Sequence, residues 1–155
     1  SKGRMSKIIL GCDPDVDGKG FAIYERDKLV NLLKLSNIEL LEFFKMQDTV
    51  GNIHNIELHI EDLCANKSSA FGHKSRQPKQ VQNKISELVG RCKQIQLEVE
   101  KIATHFDIKI VRHKVSSKWK DAAGRKEFER FTGWKGQSNP DTRSAAYFGY
   151  LGTLN

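Results

Sequence analysis

The amino-acid sequence predicts a mixed α/β fold in which a five-stranded sheet is flanked by helices. Three observations lead to this prediction: a hairpin pattern near the start of the chain, an alternation of strand and helix patterns after it, and one long amphipathic helix. An antiparallel hairpin that feeds strand–helix alternation is typical of a mixed sheet. The 155 residues, 38% of them hydrophobic, are enough to bury the core of one domain. We expect one domain over residues 1–155, with residues 1–4 set aside as a tag remnant.

The first half of the chain supplies four predicted strands and one helix. Residues 7–12 form an apolar run that ends in a turn cluster, which is typical of a buried strand. The runs 21–25 and 29–35 are separated by a short polar segment and predict a hairpin. Residues 38–44 have the apolar spacing of a helix, and the alternation of apolar and polar residues over 56–63 predicts the fourth strand.

The second half supplies the longest helix. Apolar residues recur every three or four positions over residues 81–106, as they do on one face of a helix. Residues 108–111 predict the fifth strand, and a short basic helix follows around residues 128–131. A final helix is predicted over residues 141–151, because Pro140 limits any earlier start.

The composition favours a polyanionic partner. Lysine and arginine total 26 against 19 acidic residues, a formal net charge of +7, which suits nucleic acid. No apolar run approaches the ~20 residues of a membrane span, and no secretory signal is recognisable, so we expect a cytoplasmic protein without membrane contact. The spacing of Cys12, Cys64 and Cys92 favours free thiols over a zinc site or a disulfide.

Three acidic residues stand where a sheet usually binds ligands. Asp13 follows the first strand, Glu61 closes the fourth, and Asp141 opens the final helix. Ligand crevices in open α/β sheets lie at the carboxyl ends of strands, so these acids can meet at one edge. Taken singly, each is an ordinary turn, surface or capping residue. Together they favour a site for Mg²⁺, with Mn²⁺ as a substitute.

The loop after the first strand has a competing interpretation. Residues 13–18 spell the D-x-D-x-D-G opening of an EF-hand calcium loop. The twelfth position of that loop requires a glutamate and holds Tyr24, and the preceding segment is a strand rather than a helix. A calcium sensor is therefore disfavoured. Asp15 and Asp17 are interpreted as turn residues, although a contribution to a metal site stays open.

Several segments resemble RuvC-type Holliday junction resolvases of the ribonuclease H-like superfamily. KIILGCDPDVDGKGFAIYE resembles their opening strand, G-x-D-P-G turn and second strand. IELHIEDLCANKSSA resembles their fourth strand with its acidic end, and NPDTRSAAYFGYLG is similar to their closing helix. The resemblance implies a ribonuclease H-like fold and gives Asp13, Glu61 and Asp141 the role of catalytic metal ligands.

The chain departs from that family pattern at two places. Asp15 occupies the last position of the G-x-D-P-G turn, which makes the loop more acidic. The closing motif D-x-x-D reads Asp141-Thr142-Arg143-Ser144, so its second carboxylate is replaced by the weaker ligand Ser144. One metal is therefore short of a ligand in this motif.

Two basic segments, residues 67–84 and residues 109–135, surround the predicted site. Phe71 in the first segment either stacks on an unpaired base, worth about 1–3 kcal/mol, or anchors its loop on the core. In the second segment, Lys118 is the predicted catalytic residue that neutralises a scissile phosphate, and Lys120 can do so as well, whereas a solvated basic face is the alternative. The residues predicted to bind nucleic acid are Lys67, Phe71, Lys74, Arg76, Lys79, Lys84 and Lys120.

The resemblance implies a metal-dependent endonuclease that resolves Holliday junctions in DNA by paired nicks. In the implied two-metal reaction Asp13 bridges two ions, one activating water and the other stabilising the leaving 3′-oxygen. A homodimer is implied, because a four-way junction presents two equivalent strands. The apolar face of the long helix can hold a partner, and burial in the monomer explains that face equally well.

Two other functions stay open. The chain can be another nuclease of the same superfamily that cuts flaps or RNA–DNA hybrids. It can also be a non-catalytic nucleic-acid-binding module that kept its basic surface and lost part of its acid set. Magnesium-dependent cleavage distinguishes the nucleases from the binding module.

Overall fold

The computed structural model describes residues 7–16, 19–65 and 78–154, which form the mixed α/β fold that the sequence predicts. One sheet contains the strands β1 (Ile8–Asp13), β2 (Gly20–Glu25), β3 (Lys28–Lys34), β4 (Ile56–Glu61) and β5 (Lys109–His113). The described ranges contain the helices α1 (Asn37–Thr49), α2 (Lys79–His105), α3 (Ala122–Thr132) and α4 (Pro140–Thr153). Every predicted strand and helix is present, with shifted ends.

The sheet order β3-β2-β1-β4-β5 brings the first and fourth strands together. β1 and β3 are antiparallel to β2, whereas β4 is parallel to both β1 and β5. Cys12 of β1 pairs with Ile60 of β4, and Glu61 pairs with His113 of β5. The carboxyl ends of β1, β4 and β5 therefore lie at one edge of the sheet.

The two faces of the sheet carry different helices. Leu10 belongs to a core cluster that includes residues of α1 and α2, whereas Ile9 belongs to one that includes Ala145 of α4. Successive side chains of a strand point to opposite faces, so Asp13 lies on the same face as Ile9. Leu58 and Ile60 of β4 face α1 and α2, which places Glu61 on the α4 face as well. Both acids thus lie beneath α4.

The fourth strand ends two residues earlier than the sequence predicts, because a side chain of α2 binds the backbone beyond it. Gln96 accepts hydrogen bonds from the backbone N–H groups of Leu63 (2.7 Å) and Cys64 (3.2 Å). It also donates to Asp62 and to Glu100. These bonds turn the chain away from the sheet immediately after Glu61.

Only the second half of α2 enters the core, although apolar residues recur along its whole length. Val99 and Ala103 are fully buried, whereas Val81, Ile85 and Leu88 are 41%, 38% and 46% exposed. The first half of α2 therefore presents an apolar stripe on the surface. Among the helices of the described ranges, α2 included, none is long and apolar enough to cross a membrane.

All three cysteines are free thiols, as their spacing predicts. Cys12 is buried within β1, whereas Cys64 and Cys92 are half-buried. Burial raises the pKa of the Cys12 thiol well above its ordinary value, so this thiol stays protonated at neutral pH. Cys12 therefore presents no thiolate at this end of β1.

Close contact between α4 and β1 depends on glycines. A Cβ atom added to Gly11 of β1 would lie 2.7 Å from the backbone nitrogen of Gly149 and closer still to the carbonyl oxygen of Ala145. A Cβ atom on Gly20 would lie 2.5 Å from the carbonyl oxygen of Asp141. The absence of side chains at these positions lets the first turns of α4 rest directly on the carboxyl end of β1.

We predict that Gly11→Ala lowers the free energy of unfolding by about 3 kcal/mol, because the methyl group overlaps the α4 backbone. Gly90→Ala is the matched control: Gly90 lies in the exposed part of α2, and a Cβ atom there meets nothing within 4 Å. The control should gain up to about 1 kcal/mol from its higher helix propensity. Urea unfolding of both variants measures the difference, and equal stability would contradict the close contact.

Candidate metal centre

Three carboxylates converge at the edge where β1 ends. Asp13, Asp15 and Asp141 each offer one oxygen atom, and these atoms all lie within 4.8 Å of one another. Ligand oxygens of one Mg²⁺ lie about 2.0–2.1 Å from the ion, hence within about 4.2 Å of each other. A small closing movement of the side chains would let all three share one ion.

The cap of α4 fixes the position of Asp141. The helix begins at Pro140, one residue earlier than predicted, and the Asn139 side chain accepts a hydrogen bond of 2.9 Å from the backbone N–H of Thr142. Proline is suited to the first turn because its missing N–H would have no intrahelical partner there. Asp141 is therefore held in the first turn, over the end of β1.

Asp15 belongs to the cluster, although the sequence predicts a turn residue at this position. Its carboxyl group lies beside Asp141 and shares a hydrogen bond with it. The position of Asp15, two residues beyond the strand end, was the available signal. Asp17, the other acid of this loop, lies outside the described residues.

Glu61 stands beside this cluster rather than within it. Its side chain is 5% exposed, and its Oε2 accepts a hydrogen bond of 3.3 Å from the backbone N–H of Ser116. Burial, and then the negative charge of Asp13, raise the pKa of Glu61 to about 7. The sheet thus holds Glu61 close enough to Asp13 for the two charges to repel each other.

Asp13 lies at the centre of the site and is almost completely buried. The residue is 2% exposed, and the Lys120 ammonium group approaches its Oδ2 atom to 3.4 Å. Burial raises the pKa of Asp13, whereas Ser144 and Lys120 lower it. Ionisation of a buried carboxyl group is costly unless positive charge offsets it, so the position of Asp13 suits a metal ligand.

The pKa of Asp141, like that of Glu61, lies above its ordinary value. Burial, and then the charge of Asp15, raise the pKa of Asp141 to about 6. Four carboxyl groups thus repel one another at one sheet edge, with one described ammonium group, that of Lys120, in contact with them. All the candidate ligand atoms are oxygens, and the negative charge of the carboxylates exceeds the positive charge beside them. Such a site suits a hard divalent cation such as Mg²⁺ or Mn²⁺.

Ser144 lies one helical turn beyond Asp141 and faces Asp13. Its side chain is completely buried. Hydrogen bonding from its hydroxyl lowers the pKa of Asp13, so Ser144 stabilises the ionised form of that carboxyl group.

Lys120, rather than Lys118, reaches the acids. Its Nζ atom lies 3.4 Å from Asp13 Oδ2. Although burial opposes the charge of Lys120, the charges of Asp13 and Glu61 raise its pKa. Arg143 of α4 holds this segment in place by donating to the carbonyl oxygens of Trp119 (2.8 Å) and Lys120 (2.7 Å).

Lys118 lies in a more open setting. Its side chain is exposed, and it lines a surface cleft together with Ser116, Ser117 and Trp119. Its backbone N–H donates to the Ser116 hydroxyl, which belongs to the residue whose N–H binds Glu61. Lys118 is therefore near the site along the chain, but its ammonium group makes no ion pair with the described acids.

The residues predicted to bind nucleic acid are only partly visible in the structure. Lys79 and Lys84 are exposed on the first turns of α2. The same helix contacts the β1 loop at Cys92, which is hydrogen-bonded to the backbone of Val16. At 1.5 Å per residue, Lys84 lies about 12 Å along the helix axis from that contact. The remaining residues, Lys67, Phe71, Lys74 and Arg76, lie outside the described residues.

The fold is similar to two solved structures of Thermus thermophilus RuvC. In the first, RuvC in complex with a Holliday junction substrate, the protein is 10% identical to this chain; the match covers 96% of this chain and 94% of that chain, with a TM-score of 0.56. The second, a structure of RuvC, is 9% identical, with coverages of 95% and 94% and a TM-score of 0.52. No protein-family model and no curated protein matches the sequence. The similarity shows a RuvC-like fold, consistent with the ribonuclease H-like sheet that the sequence predicts.

We predict that Glu61→Gln stabilises the metal-free protein near pH 8 and has little effect near pH 4.5. The pKa of Glu61 is raised in the folded state, so the stability due to its protonated form is present below the ordinary pKa of 4.5 and is lost as pH rises through about 7. The gain near pH 8 should be on the order of 3 kcal/mol at most. Chemical unfolding in a chelating buffer measures it, with exposed Glu25→Gln as the control. The same gain at both pH values would contradict the assigned charge repulsion.

Proposed function

We propose that this chain is a divalent-metal-dependent endonuclease that hydrolyses phosphodiester bonds in branched DNA, with resolution of Holliday junctions by paired nicks as the favoured reaction. One observation carries the proposal: carboxylates from β1, β4 and α4 converge on one edge of a RuvC-like sheet. One of the similar structures is RuvC with a Holliday junction substrate. The net charge of +7 supports a polyanionic substrate.

The proposed cofactor is Mg²⁺, with Mn²⁺ as a substitute. Asp13, Asp15 and Asp141 would hold one ion, and Asp13 with Glu61 would contribute to a second. When bound, such ions supply positive charge at the phosphate and lower the pKa of a water molecule so that it can attack phosphorus. The burial of Asp13 and the raised pKa values of Glu61 and Asp141 support this assignment.

The chain itself holds these groups in place. Ser116 orients the Glu61 carboxylate through its backbone N–H, and Arg143 fixes the Lys120 segment against α4. The ammonium group of Lys120 can stabilise the negative charge that develops on the phosphate oxygens when the P–O bond to the 3′-oxygen breaks. Burial of Asp13 and Glu61 keeps competing water out of the site and strengthens each charge interaction.

Binding of DNA would use the basic surface beside the centre. Lys79 and Lys84 are placed on exposed turns of α2, and the basic segment that contains Lys67, Lys74 and Arg76 leads into the same helix. Phosphate contacts release counterions, so affinity should fall steeply with salt concentration. Phe71 is proposed to stack on an unpaired base near the branch point.

A homodimer is proposed on the exposed half of α2. Val81, Ile85 and Leu88 are spaced by four and three residues, so they share one face of the helix, and each is more than a third exposed. A two-fold partner would cover this stripe and place two metal centres on two equivalent strands of a junction. The exposed stripe favours the partner explanation for the apolar face of this helix over burial in the monomer.

We predict that the chain sediments as a dimer and that Leu88→Lys makes it monomeric. A lysine within the apolar stripe would have to be buried without a partner, which is costly. Ile38→Lys is the matched control, because Ile38 is 70% exposed on α1, outside the stripe. Analytical ultracentrifugation measures both variants. A monomeric wild type, or a dimer that tolerates Leu88→Lys, would refute the proposed interface.

We predict that the protein nicks a labelled four-way junction symmetrically in Mg²⁺ or Mn²⁺ and that a chelator abolishes the cleavage. Asp13→Asn and Glu61→Gln should each lower the rate by at least about 10²-fold, because each removes a ligand charge from the centre. Linear duplex, a flap and an RNA–DNA hybrid are assayed in parallel.

The substrate panel separates the alternatives. Metal-dependent cleavage of only the flap or the hybrid would keep the metal centre and change the substrate. Salt-sensitive binding of the junction without cleavage of any substrate, in either metal, would refute the enzyme and leave a nucleic-acid-binding module. The persistence of full activity in Asp13→Asn would refute the assigned centre.

We predict that Lys120→Met lowers the cleavage rate by about 10²-fold, whereas Lys118→Met lowers it less than about tenfold. The Nζ atom of Lys120 contacts Asp13 within the centre, while the Lys118 side chain is exposed at the neighbouring cleft. Single-turnover cleavage at saturating protein separates the rate from DNA affinity. A larger loss in Lys118→Met would assign the phosphate contact to Lys118 instead.

A further inference from the structure

Two buried polar side chains face each other at the centre. Asp13 is 2% exposed and Ser144 is 0% exposed, and the Ser144 hydroxyl on α4 lies close enough to the Asp13 carboxylate to act as its hydrogen-bond partner. Position 144 therefore opens directly onto the proposed metal ligand Asp13.

The geometry of α4 makes position 144 a place from which a carboxylate could reach the centre. Residues 141 and 144 are three apart, so their side chains are neighbours on one helix face. That face is pressed against β1, because Gly11 and Gly20 allow the α4 backbone to approach closely. An aspartate at position 144 would carry its oxygens one bond further toward Asp13 than the serine hydroxyl does. In this chain the position supplies a short neutral group instead.

Asp15 supplies a carboxylate to the same cluster from a different part of the chain. Its oxygen lies within 4.8 Å of ligand atoms on both Asp13 and Asp141. It comes from the loop after β1 rather than from α4, so the helix is not required to provide it. The charge of Asp15 already bears on Asp141, and a further carboxylate at position 144 would add to this repulsion.

We propose that Asp15 takes the place of a carboxylate that position 144 lacks, so that residues 15 and 144 are alternative sources of one metal ligand. The inference rests on the proposed metal centre and adds a specific property to it. A carboxylate moved from position 15 to position 144 restores the centre, whereas loss of Asp15 alone leaves it one ligand short.

The experiment is a double-mutant cycle on Mn²⁺ affinity, measured by calorimetry on the full chain in the absence of DNA. Asp15→Asn should weaken Mn²⁺ binding by at least about tenfold, within the range of strong ligand effects. Asp15→Asn combined with Ser144→Asp should return the affinity to within about threefold of the wild type. Ser144→Asp should strengthen binding more in the Asp15→Asn background than in the wild type, which is the coupling that a cycle isolates.

Two further variants serve as controls. Asp15→Asn combined with Gln137→Asp has the same formal charge as the rescued variant, but residue 137 lines a cleft beside β3 instead of the cluster. It should not restore binding. Asp15→Glu keeps the inference testable if a buried aspartate at position 144 prevents folding: it retains a carboxylate on the loop and should bind Mn²⁺ more tightly than Asp15→Asn.

The outcomes separate this inference from the proposed function. If Asp15→Asn binds as tightly as the wild type while Asp13→Asn does not bind, the exchange is refuted and the metal centre stands. If Asp15→Asn is weakened but position 144 gives no rescue, or position 137 rescues equally, the exchange is also refuted. If the wild type and Asp13→Asn bind Mn²⁺ equally weakly, the metal centre itself fails.

Discussion

The contact between α4 and the carboxyl end of β1 is the constraint on which the rest of the site depends. Gly11 and Gly149 have no side chains, so the helix and the strand can lie in close contact. With the backbones this close, Asp141 and Ser144 are carried over Asp13, and Arg143 reaches the loop that bears Lys120. A strand, a helix and a loop that are remote in sequence are thereby fixed around one carboxylate.

Electrostatics oppose the arrangement that packing imposes. Burial and mutual repulsion raise the pKa values of Asp13, Glu61 and Asp141, so ionisation of these acids destabilises the metal-free fold. Among the described residues, Lys120 forms an ion pair with Asp13 and offsets part of this repulsion. The described part of the chain provides less positive charge at this edge than its carboxylates carry negative charge. The proposed cofactor would supply the difference, and stability would then be linked to metal binding.

The sequence was a reliable guide where local patterns determine the outcome. The alternation of β4 placed Glu61 at a strand end, and the apolar run of β1 placed Asp13 there, because strand period and burial act on neighbouring residues. Tertiary contacts decided the rest. The place of Asp15 in the cluster, and the choice of Lys120 over Lys118 beside Asp13, depend on loop paths that no residue spacing determines. The exposure of Leu88 in α2 likewise required knowledge of which half of the helix meets the sheet.

The assigned metal centre is tested most directly by locating the metal through anomalous diffraction from crystals grown with Mn²⁺. We expect an anomalous peak bounded by the carboxylates of Asp13, Asp15 and Asp141, with ligand distances of about 2.0–2.2 Å. The peak should be absent in crystals of Asp13→Asn. Mn²⁺ bound only elsewhere on the protein, with this edge of the sheet unoccupied at saturating metal, would contradict the assigned centre.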